Sequence, residues 1–477
     1  MPPSRLDRVL RIFTDVRQGE GVTALLMFAN VFLILCAYYF IKPVREGWIS
    51  VSDTNVLSGL TKMEVKAYSS FCQGALLIVI VRFYSRLVDR VARARLMLVS
   101  TVFAMSNLVI FWFLQPGFFI ANLPWTGFAF YLWVGIFGVF IVAQFWAFVA
   151  DVYNNDNGNR LIPIVAVGAT AGAAFGSAIT SHLVSSGIVS SQFLLLAAIV
   201  PLGISLVLTL IVDARESNEP EAMLRHTAHA PLPRANDEAH TPKGAIALIL
   251  GSRYLLAVAA ITLLTNWVNT NGENLLFEVV QDSLARQALD QGVARPDEVL
   301  QFTKDGTTAF YGSFYFWVNV SALGLQSLLA SRLLKYGGFG AVLMLLPVVA
   351  LFSYSVMALV PVLAVVKFMK IAENSTDYSI NNTARHVLWL PVPSADKYKG
   401  KPTIDSLFAR LGDGLAALTV LIGVQALALS RAGFFSFTVA LVVVWIGVAL
   451  VVVREHTKLI GRADGLPPSE STPEPAN

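Results

Sequence analysis

Charged side chains inside apolar stretches are the part of this sequence that could do chemistry. The first such stretch holds Lys42, Arg45 and Glu46. Lys42 and Arg45 share a helix face, and Glu46 follows Lys42 by one turn. An ionisable side chain near the bilayer centre costs about 2.5–3.5 kcal/mol on insertion scales, so it usually faces a cavity and marks a pathway. Two cations beside Pro43, which can loosen the helix, predict an anion site. The alternative is that the helix ends at Phe40 and leaves both cations in a solvated loop.

A polar stripe in a later apolar stretch is the second candidate. Asn266, Asn269 and Glu273 follow one another at i, i+3 and i+7 and therefore lie on one helix face. Amides suit hydroxyl groups or the edge of a base. We expect this stripe to line a water-filled site in which Glu273 has a partner. Hydrogen bonding between helices is the alternative.

A third group of charges shares a face further along the chain. Lys370 and Glu373 are spaced to neutralise each other, and Asp377 follows as a candidate proton- or cation-coupling carboxylate or as a helix cap. The expected substrate-binding residues are Lys42, Arg45, Asn266, Asn269, Glu273 and Lys370, and the expected coupling or gating residues are Glu46, Glu373 and Asp377.

The elements that position these residues are predicted to be membrane-spanning helices. The chain has 477 residues, of which 55% are hydrophobic and 14% are charged, whereas soluble domains carry about 25% charged residues. This composition excludes a soluble enzyme and a disordered chain, and two cysteines exclude a disulfide scaffold. Each span needs about 20 apolar residues. The predicted spans lie in 22–47, 67–84, 96–115, 125–149, 161–181, 193–212, 254–279, 309–331, 339–357, 361–381, 407–429 and 433–453.

The spans divide into six and six around a polar stretch. Two six-helix halves related by an axis along the membrane normal are the plan of major-facilitator transporters. We therefore expect an all-α polytopic membrane protein with about 12 transmembrane helices. The expected parts are an amphipathic segment at 1–20, an N-terminal half at 21–212, a cytoplasmic linker at 213–244, a C-terminal half at 245–455 and a disordered tail at 456–477.

Lysine and arginine in the loops after spans two and ten, and after span twelve, place both termini in the cytoplasm of an inner (cell) membrane. Residues 280–308 are predicted to form a long, partly helical outer loop. Gly168, Gly172 and Gly176 recur every four residues and predict close helix packing. No metal-ligand spacing or catalytic arrangement is found. We therefore expect no enzyme, no cofactor and no metal, and a monomer in the lipid bilayer with no nucleic-acid partner.

Several motifs resemble those of the ATP/ADP translocases of plastids and obligate intracellular bacteria. The most specific stretch is Lys399-Gly400-Lys401-Pro402-Thr403-Ile404-Asp405 followed by Arg410-Leu411-Gly412, which is similar to the family's Lys-Gly-Lys-x-x-Ile-Asp-x-x-x-x-Arg-x-Gly. Further similarities lie at Lys42–Glu46, at Asn269 and Glu273, at Tyr378-Ser379, at Leu390-Pro391, and at Arg160 and Pro163. Two positions depart from the family pattern, since Arg45 and Asp377 stand where the family has lysines.

The resemblance implies a secondary transporter of a nucleotide or a related anionic metabolite that works by alternating access. Lys42 and Arg45 would attract phosphate, and Asn266, Asn269 and Glu273 would complete a site between the halves. Exchange and proton coupling both stay open. The alternatives are an exporter of an unrelated amphiphile, drug or lipid, and a transporter fold that serves as a membrane scaffold.

Overall fold

The computed structural model describes residues 20–52, 59–88, 93–116, 125–153, 155–217 and 242–463, which contain helices and no strand. The helices are α1 (Glu20–Ser50), α2 (Lys62–Val88), α3 (Arg93–Phe113), α4 (Thr126–Val152), α5 (Asn155–Ser185), α6 (Phe193–Ser217), α7 (Pro242–Gly251), α8 (Arg253–Asp290), α9 (Pro296–Leu325), α10 (Ser331–Leu359), α11 (Leu363–Thr376), α12 (Asn382–Val387), α13 (Ser394–Thr403), α14 (Ala409–Leu421) and α15 (Arg431–Ala463).

Nine helices of the described chain are long and apolar enough to cross a membrane, and the bent pair Gly244–Gly251 and Arg253–Asp290 makes a tenth. One of the nine, Pro296–Leu359, is the continuous helical stretch made of α9, the turn at Gln326–Ala330 and α10. It has 64 residues and would measure about 96 Å if it were straight. A bilayer core is about 30 Å thick, so this helix counts as two spans that meet near Gly338, where φ is 69°. The charged helix α11, with 14 residues, is not among the helices that are long and apolar enough to span a membrane. The chain is therefore an all-α multi-pass membrane protein.

The chain forms two compact units. The first comprises Met1–Leu232 and Leu276–Ser321, and the second comprises Pro233–Leu275 and Ala322–Asn477. The segment Leu276–Ser321 therefore belongs with the first six helices, whereas the sequence prediction assigned it to the C-terminal half. Its membership follows from close packing, since a Cβ atom at Gly47 would lie 2.6 Å from the carbonyl oxygen of Lys304.

Helix α1 is the centre of the first unit and packs against α4, α5 and α6. The glycines of α5 face it. A Cβ atom at Gly168 would lie 2.7 Å from the carbonyl oxygen of Phe28, one at Gly176 would lie 2.5 Å from that of Cys36, and one at Gly172 would collide with Phe32. Such contacts leave no room for a side chain. The predicted packing role of the three glycines is confirmed.

Helix α1 continues through Pro43 to Ser50 without a break. Proline has no N–H and therefore leaves the carbonyl four residues earlier, that of Tyr39, without its helical donor. Thr180 of α5 supplies the missing donor, because its hydroxyl donates to the Tyr39 carbonyl oxygen at 3.2 Å. The expected loosening of the helix at Pro43 is thus wrong, and so is the alternative that the helix ends at Phe40.

Helix α10 is the centre of the second unit and packs against α11 and α15. Four π-helical turns interrupt this part of the chain, at Gln326–Ala330, Asp377–Asn381, Ile404–Phe408 and Ile422–Ala426. Such turns are rare in proteins, and those that occur often lie at functional sites. One of them, Asp377–Asn381, follows directly after the charged part of α11.

Four predicted segments differ from the structure or lie wholly or partly outside the described residues. The stretch 280–308, predicted to be a partly helical loop, is helical except between Asp290 and Pro296, because α8 continues to Asp290 and α9 begins at Pro296. The predicted tail is helical as far as Ala463, since α15 extends the last span by regular helix. The amphipathic segment up to residue 19, the linker residues 218–241 and the tail residues 464–477 lie outside the described residues.

Candidate functional site

A group of four charged residues in the first unit, here called the basic cluster, comprises Lys42, Arg45, Glu46 and Lys66. Arg45 Nη2 lies 2.5 Å from Glu46 Oε1, and Lys66 Nζ lies 3.1 Å from Glu46 Oε2. The side chains of Arg45, Lys66 and Glu46 are only 11%, 3% and 1% exposed. Three of the four charged side chains are cations, so the cluster is suited to an anion.

Aromatic rings surround the cations of the basic cluster. The ammonium of Lys42 lies 3.9 Å from the centroid of the Tyr315 ring. The guanidinium carbon of Arg45 lies 4.3 Å from the centroid of the Tyr131 ring, and Lys66 Nζ lies 4.6 Å from that of Phe277. Cations over aromatic faces gain about 0.5–2 kcal/mol, with the larger values where water is excluded. These rings therefore hold positive charge inside a membrane helix bundle at a reduced cost.

Lys66 is the residue of this cluster that the sequence prediction missed. It precedes the predicted start of span two at residue 67 and lies near two other charged residues, Lys62 and Glu64, so it is not among the charges inside a predicted span. The structure places it within α2, where its ammonium donates to the hydroxyl of Tyr311 at 3.3 Å. A buried tyrosine hydroxyl usually needs a hydrogen-bond partner, and Lys66 supplies one to Tyr311, which is fully buried.

The second unit contains a separate group, here called the Lys370 cluster, formed by Asn269, Tyr354, Lys370 and Glu373. Lys370 Nζ donates to Glu373 Oε2 at 2.8 Å and to Asn269 Oδ1 at 3.2 Å. The hydroxyl of Tyr354 donates to Glu373 Oε1 at 3.1 Å. Lys370 is 0% exposed and Glu373 is 4% exposed. The expected pairing of Lys370 with Glu373 is present, and it is shielded from solvent.

Glu273 joins this cluster through the residue after Glu373. Asn374 Nδ2 donates to Glu273 Oε1 at 2.7 Å, and the charge of Glu273 acts on both Glu373 and Tyr354. The close approach of α8 requires Gly272, because a Cβ atom there would lie 2.8 Å from Lys370 Nζ and would collide with the Tyr354 hydroxyl. The structure therefore brings Asn269, Glu273, Lys370 and Glu373 together.

Two residues predicted for this site have other partners. Asn266 donates from Nδ2 to the carbonyl oxygen of Thr262 on its own helix at 2.8 Å. Asp377 lies in the π turn, where its carboxylate accepts from Asn381 Nδ2 at 2.6 Å and pairs with Arg385 at 3.7 Å. Asp377 therefore belongs to a separate network, because the π turn alters the face on which side chains recur.

The ion pair between Arg410 and Asp413 has the same layout as Lys370 and Glu373. Arg410 Nη1 donates to Asp413 Oδ2 at 2.8 Å, and the hydroxyl of Thr270 donates to Asp413 Oδ1 at 2.8 Å. As in the Lys370 cluster, the cation precedes the carboxylate by three residues and a hydroxyl completes the pair. Arg410 is 32% exposed, however, so this pair has access to solvent that Lys370 lacks.

Comparison with known proteins identifies the fold. No family model and no curated protein matches the sequence. Among solved structures, an auto-inhibited peptide transporter of the POT family is similar over 96% of this chain and 99% of its own, with a TM-score of 0.59 and 12% identity. The human organic anion transporter MFSD10 (TETRAN) matches over 91% and 100%, with a TM-score of 0.54 and 12% identity. A variant of the nucleoside transporter NupG matches over 90% and 99%, with a TM-score of 0.54 and 14% identity. The chain adopts an all-α polytopic fold of the major-facilitator type.

Proposed function

We propose that this protein is a secondary transporter of an anionic metabolite, with nucleotides as the first substrates to test. The observation that carries the proposal is the basic cluster, in which Arg45 and Lys66 both pair with the single carboxylate of Glu46 and a third cation, Lys42, lies over the Tyr315 ring. Ionisable groups at such depth are rare and mark substrate or ion pathways. Guanidinium and ammonium groups are the side chains that bind phosphate and carboxylate groups.

The fold and one sequence motif support the same function. Three of the solved structures that share this fold are named as transporters of peptides, of an organic anion and of nucleosides. Residues 399–412 resemble the motif of the ATP/ADP translocases. The proposed binding residues are Lys42, Arg45 and Lys66 in the first unit and, considered separately, Asn269, Glu273 and Lys370 in the second unit, and the two membrane faces gain access to the substrate in turn. Both termini are proposed to lie in the cytoplasm.

Uptake by proteoliposomes tests the proposal. The panel contains radiolabelled ATP, ADP, AMP, inorganic phosphate and adenosine, which differ in charge. We expect phosphorylated members to accumulate, and Arg45→Ala to lower their uptake about tenfold or more, since a hydrogen bond to a charged group contributes about 1.5–3 kcal/mol. The matched control is Arg295→Ala, because Arg295 is 72% exposed and pairs with Glu298. Uptake of adenosine alone, or equal uptake by Arg45→Ala and the wild type, would refute anion transport.

A further inference from the structure

We propose that Glu373 binds a proton whenever Lys370 binds the transported anion, so that the protein carries a proton and an anion together. The inference rests on the proposed function, because it assigns a co-substrate to an anion transporter. It concerns the second unit alone, and its starting point is the set of contacts that Lys370 makes.

All three ammonium protons of Lys370 have an acceptor in the structure. The acceptors are Glu373 Oε2 at 2.8 Å, Asn269 Oδ1 at 3.2 Å and the Tyr354 hydroxyl oxygen at 3.5 Å. An ammonium group has three donors and no more, so an anion that binds Lys370 must replace one of these acceptors. The carboxylate of Glu373 is the charged one, and it competes directly with an anionic group for the same charge.

Displacing Glu373 leaves its carboxylate without its cation in a site where the side chain is only 4% exposed. Breaking a buried ion pair by removing one partner is strongly unfavourable, because the remaining charge is neither solvated nor paired. A proton on the carboxylate removes this cost. The protonated carboxyl group is also a donor, and the Tyr354 hydroxyl, 3.1 Å from Glu373 Oε1, can turn to accept from it.

The net charge of the site also favours protonation of Glu373 when the anion binds. In the empty state the ammonium of Lys370 and the carboxylate of Glu373 sum to zero. With one proton on Glu373 and one negative charge of the substrate on Lys370, the sum is zero again. The other groups that act on Glu373 are Tyr354 of α10 and Glu273 of α8. Neither needs to change its charge between the two states, so the loaded site carries no more charge through the membrane than the empty one.

Binding of the two co-substrates is then linked. A proton on Glu373 raises the affinity of Lys370 for the anion, and the anion raises the affinity of Glu373 for the proton by the same factor. Arg410 and Asp413 give the contrast. A guanidinium has five donors and Arg410 is 32% exposed, so it can take an additional acceptor without releasing Asp413.

The experiment compares two transport modes in proteoliposomes loaded with the anion that the wild type carries, chosen from ATP, ADP, AMP and inorganic phosphate. The first mode is exchange at equal pH on both sides, and the second is net uptake with the outside more acidic by one pH unit. A gradient of one pH unit corresponds to 1.36 kcal/mol and drives about tenfold accumulation of an anion carried with one proton. We expect this accumulation for the wild type.

Glu373→Gln is the test variant, because glutamine imitates the protonated side chain. We expect it to retain exchange at equal pH and to lose the response to the gradient. Asp413→Asn is the matched control, since Asp413 has the same i, i+3 cation and a hydroxyl donor, and it should respond as the wild type does. Gradient-independent uptake by the wild type, or an unchanged response in Glu373→Gln, overturns the inference while anion transport stands. Absence of both exchange and uptake for every anion overturns the proposed function and this inference with it.

A second measurement needs only the wild type and covers the case in which Glu373→Gln does not fold. Titration calorimetry with the transported anion, repeated in buffers of different ionisation enthalpy, counts the protons taken up on binding. We expect about one proton per anion in a solution above the pH at which the anion itself titrates, as linkage requires. Binding without proton uptake overturns the inference.

Discussion

Lys370 Nζ lies 2.8 Å from Glu373 Oε2, one helical turn further along α11, and neither side chain has appreciable contact with solvent. The pair follows from spacing, because residues i and i+3 are neighbours on a helix surface. The pair is buried because α8 packs closely against it at Gly272 and α10 covers it with Tyr354. The pair is therefore both a structural element and the most deeply buried charge of the second unit's candidate site.

A double-mutant cycle measures what this pair contributes. We expect Lys370→Met and Glu373→Met each to lower the free energy of unfolding by about 3–5 kcal/mol, because each leaves the other charge buried and unpaired. The double variant should recover most of that loss, since two apolar side chains of similar volume replace the ion pair. Thermal unfolding in detergent of the four proteins checks this. Additive losses in the double variant would show that the two side chains act independently.

Lys66 is expected to be as important for transport as Arg45. Lys66→Met removes the cation 3.1 Å from Glu46 Oε2 and the donor to Tyr311. Uptake of the transported anion should fall about tenfold or more, in line with the 1.5–3 kcal/mol of a hydrogen bond to a charged group. Lys458→Met is the control, because Lys458 is 63% exposed and pairs with Glu455. Equal uptake by Lys66→Met and Lys458→Met would show that Lys66 is not part of the binding site.

Two glycines test the packing of α1 against α5. Gly172→Ala places a methyl group against the Phe32 backbone, whereas Gly203→Ala in α6 meets no atom within 4 Å. We expect Gly172→Ala to lower the free energy of unfolding by about 1–3 kcal/mol through overpacking. Gly203→Ala should be neutral or slightly stabilising, because alanine favours helix over glycine by about 1 kcal/mol. Melting temperatures of the two variants in detergent test this prediction, and equal melting temperatures would contradict the close packing of α1 against α5.

The hydroxyl of Thr180 is expected to stabilise α1 at Pro43. Thr180→Val leaves the Tyr39 carbonyl oxygen without its donor, and an unsatisfied buried acceptor costs about 1–3 kcal/mol. Thr170→Val on the same helix is the control, because its hydroxyl lies 3.5 Å from the carbonyl oxygen of Ala166 in its own helix. Thermal unfolding of the two variants should differ by several degrees. A smaller loss for Thr180→Val than for Thr170→Val would contradict this role.

Much of the fold could be predicted from the sequence, because long apolar stretches have one solution in a bilayer. The helical spacing of Gly168, Gly172 and Gly176 predicted a packing face, and the structure confirms it. The spacing of Lys370 and Glu373 predicted their pairing in the same way. Both predictions succeeded because they concern residues of one helix, where periodicity fixes which side chains are neighbours.

The failures concern contacts between residues far apart in the chain. Periodicity does not show that Thr180 donates to a carbonyl 141 residues earlier, so the helix was expected to loosen at Pro43. It does not show that Tyr311 and Phe277 meet Lys66, so that lysine was not among the predicted site residues. Asp377 was expected beside Glu373 because a regular helix was assumed, and the π turn separates the two networks.

The unbroken course of α1 has a mechanical consequence. Lys42 and Arg45 lie on one unbroken helix, and their ammonium and guanidinium groups lie against the ring faces of Tyr315 and Tyr131, respectively. Neither cation can therefore follow a departing ligand by local unwinding of its backbone. Beyond changes of side-chain rotamer, we expect these charges to move by rotation or tilt of the entire first helix, together with α5, which packs against it through glycine contacts and Thr180.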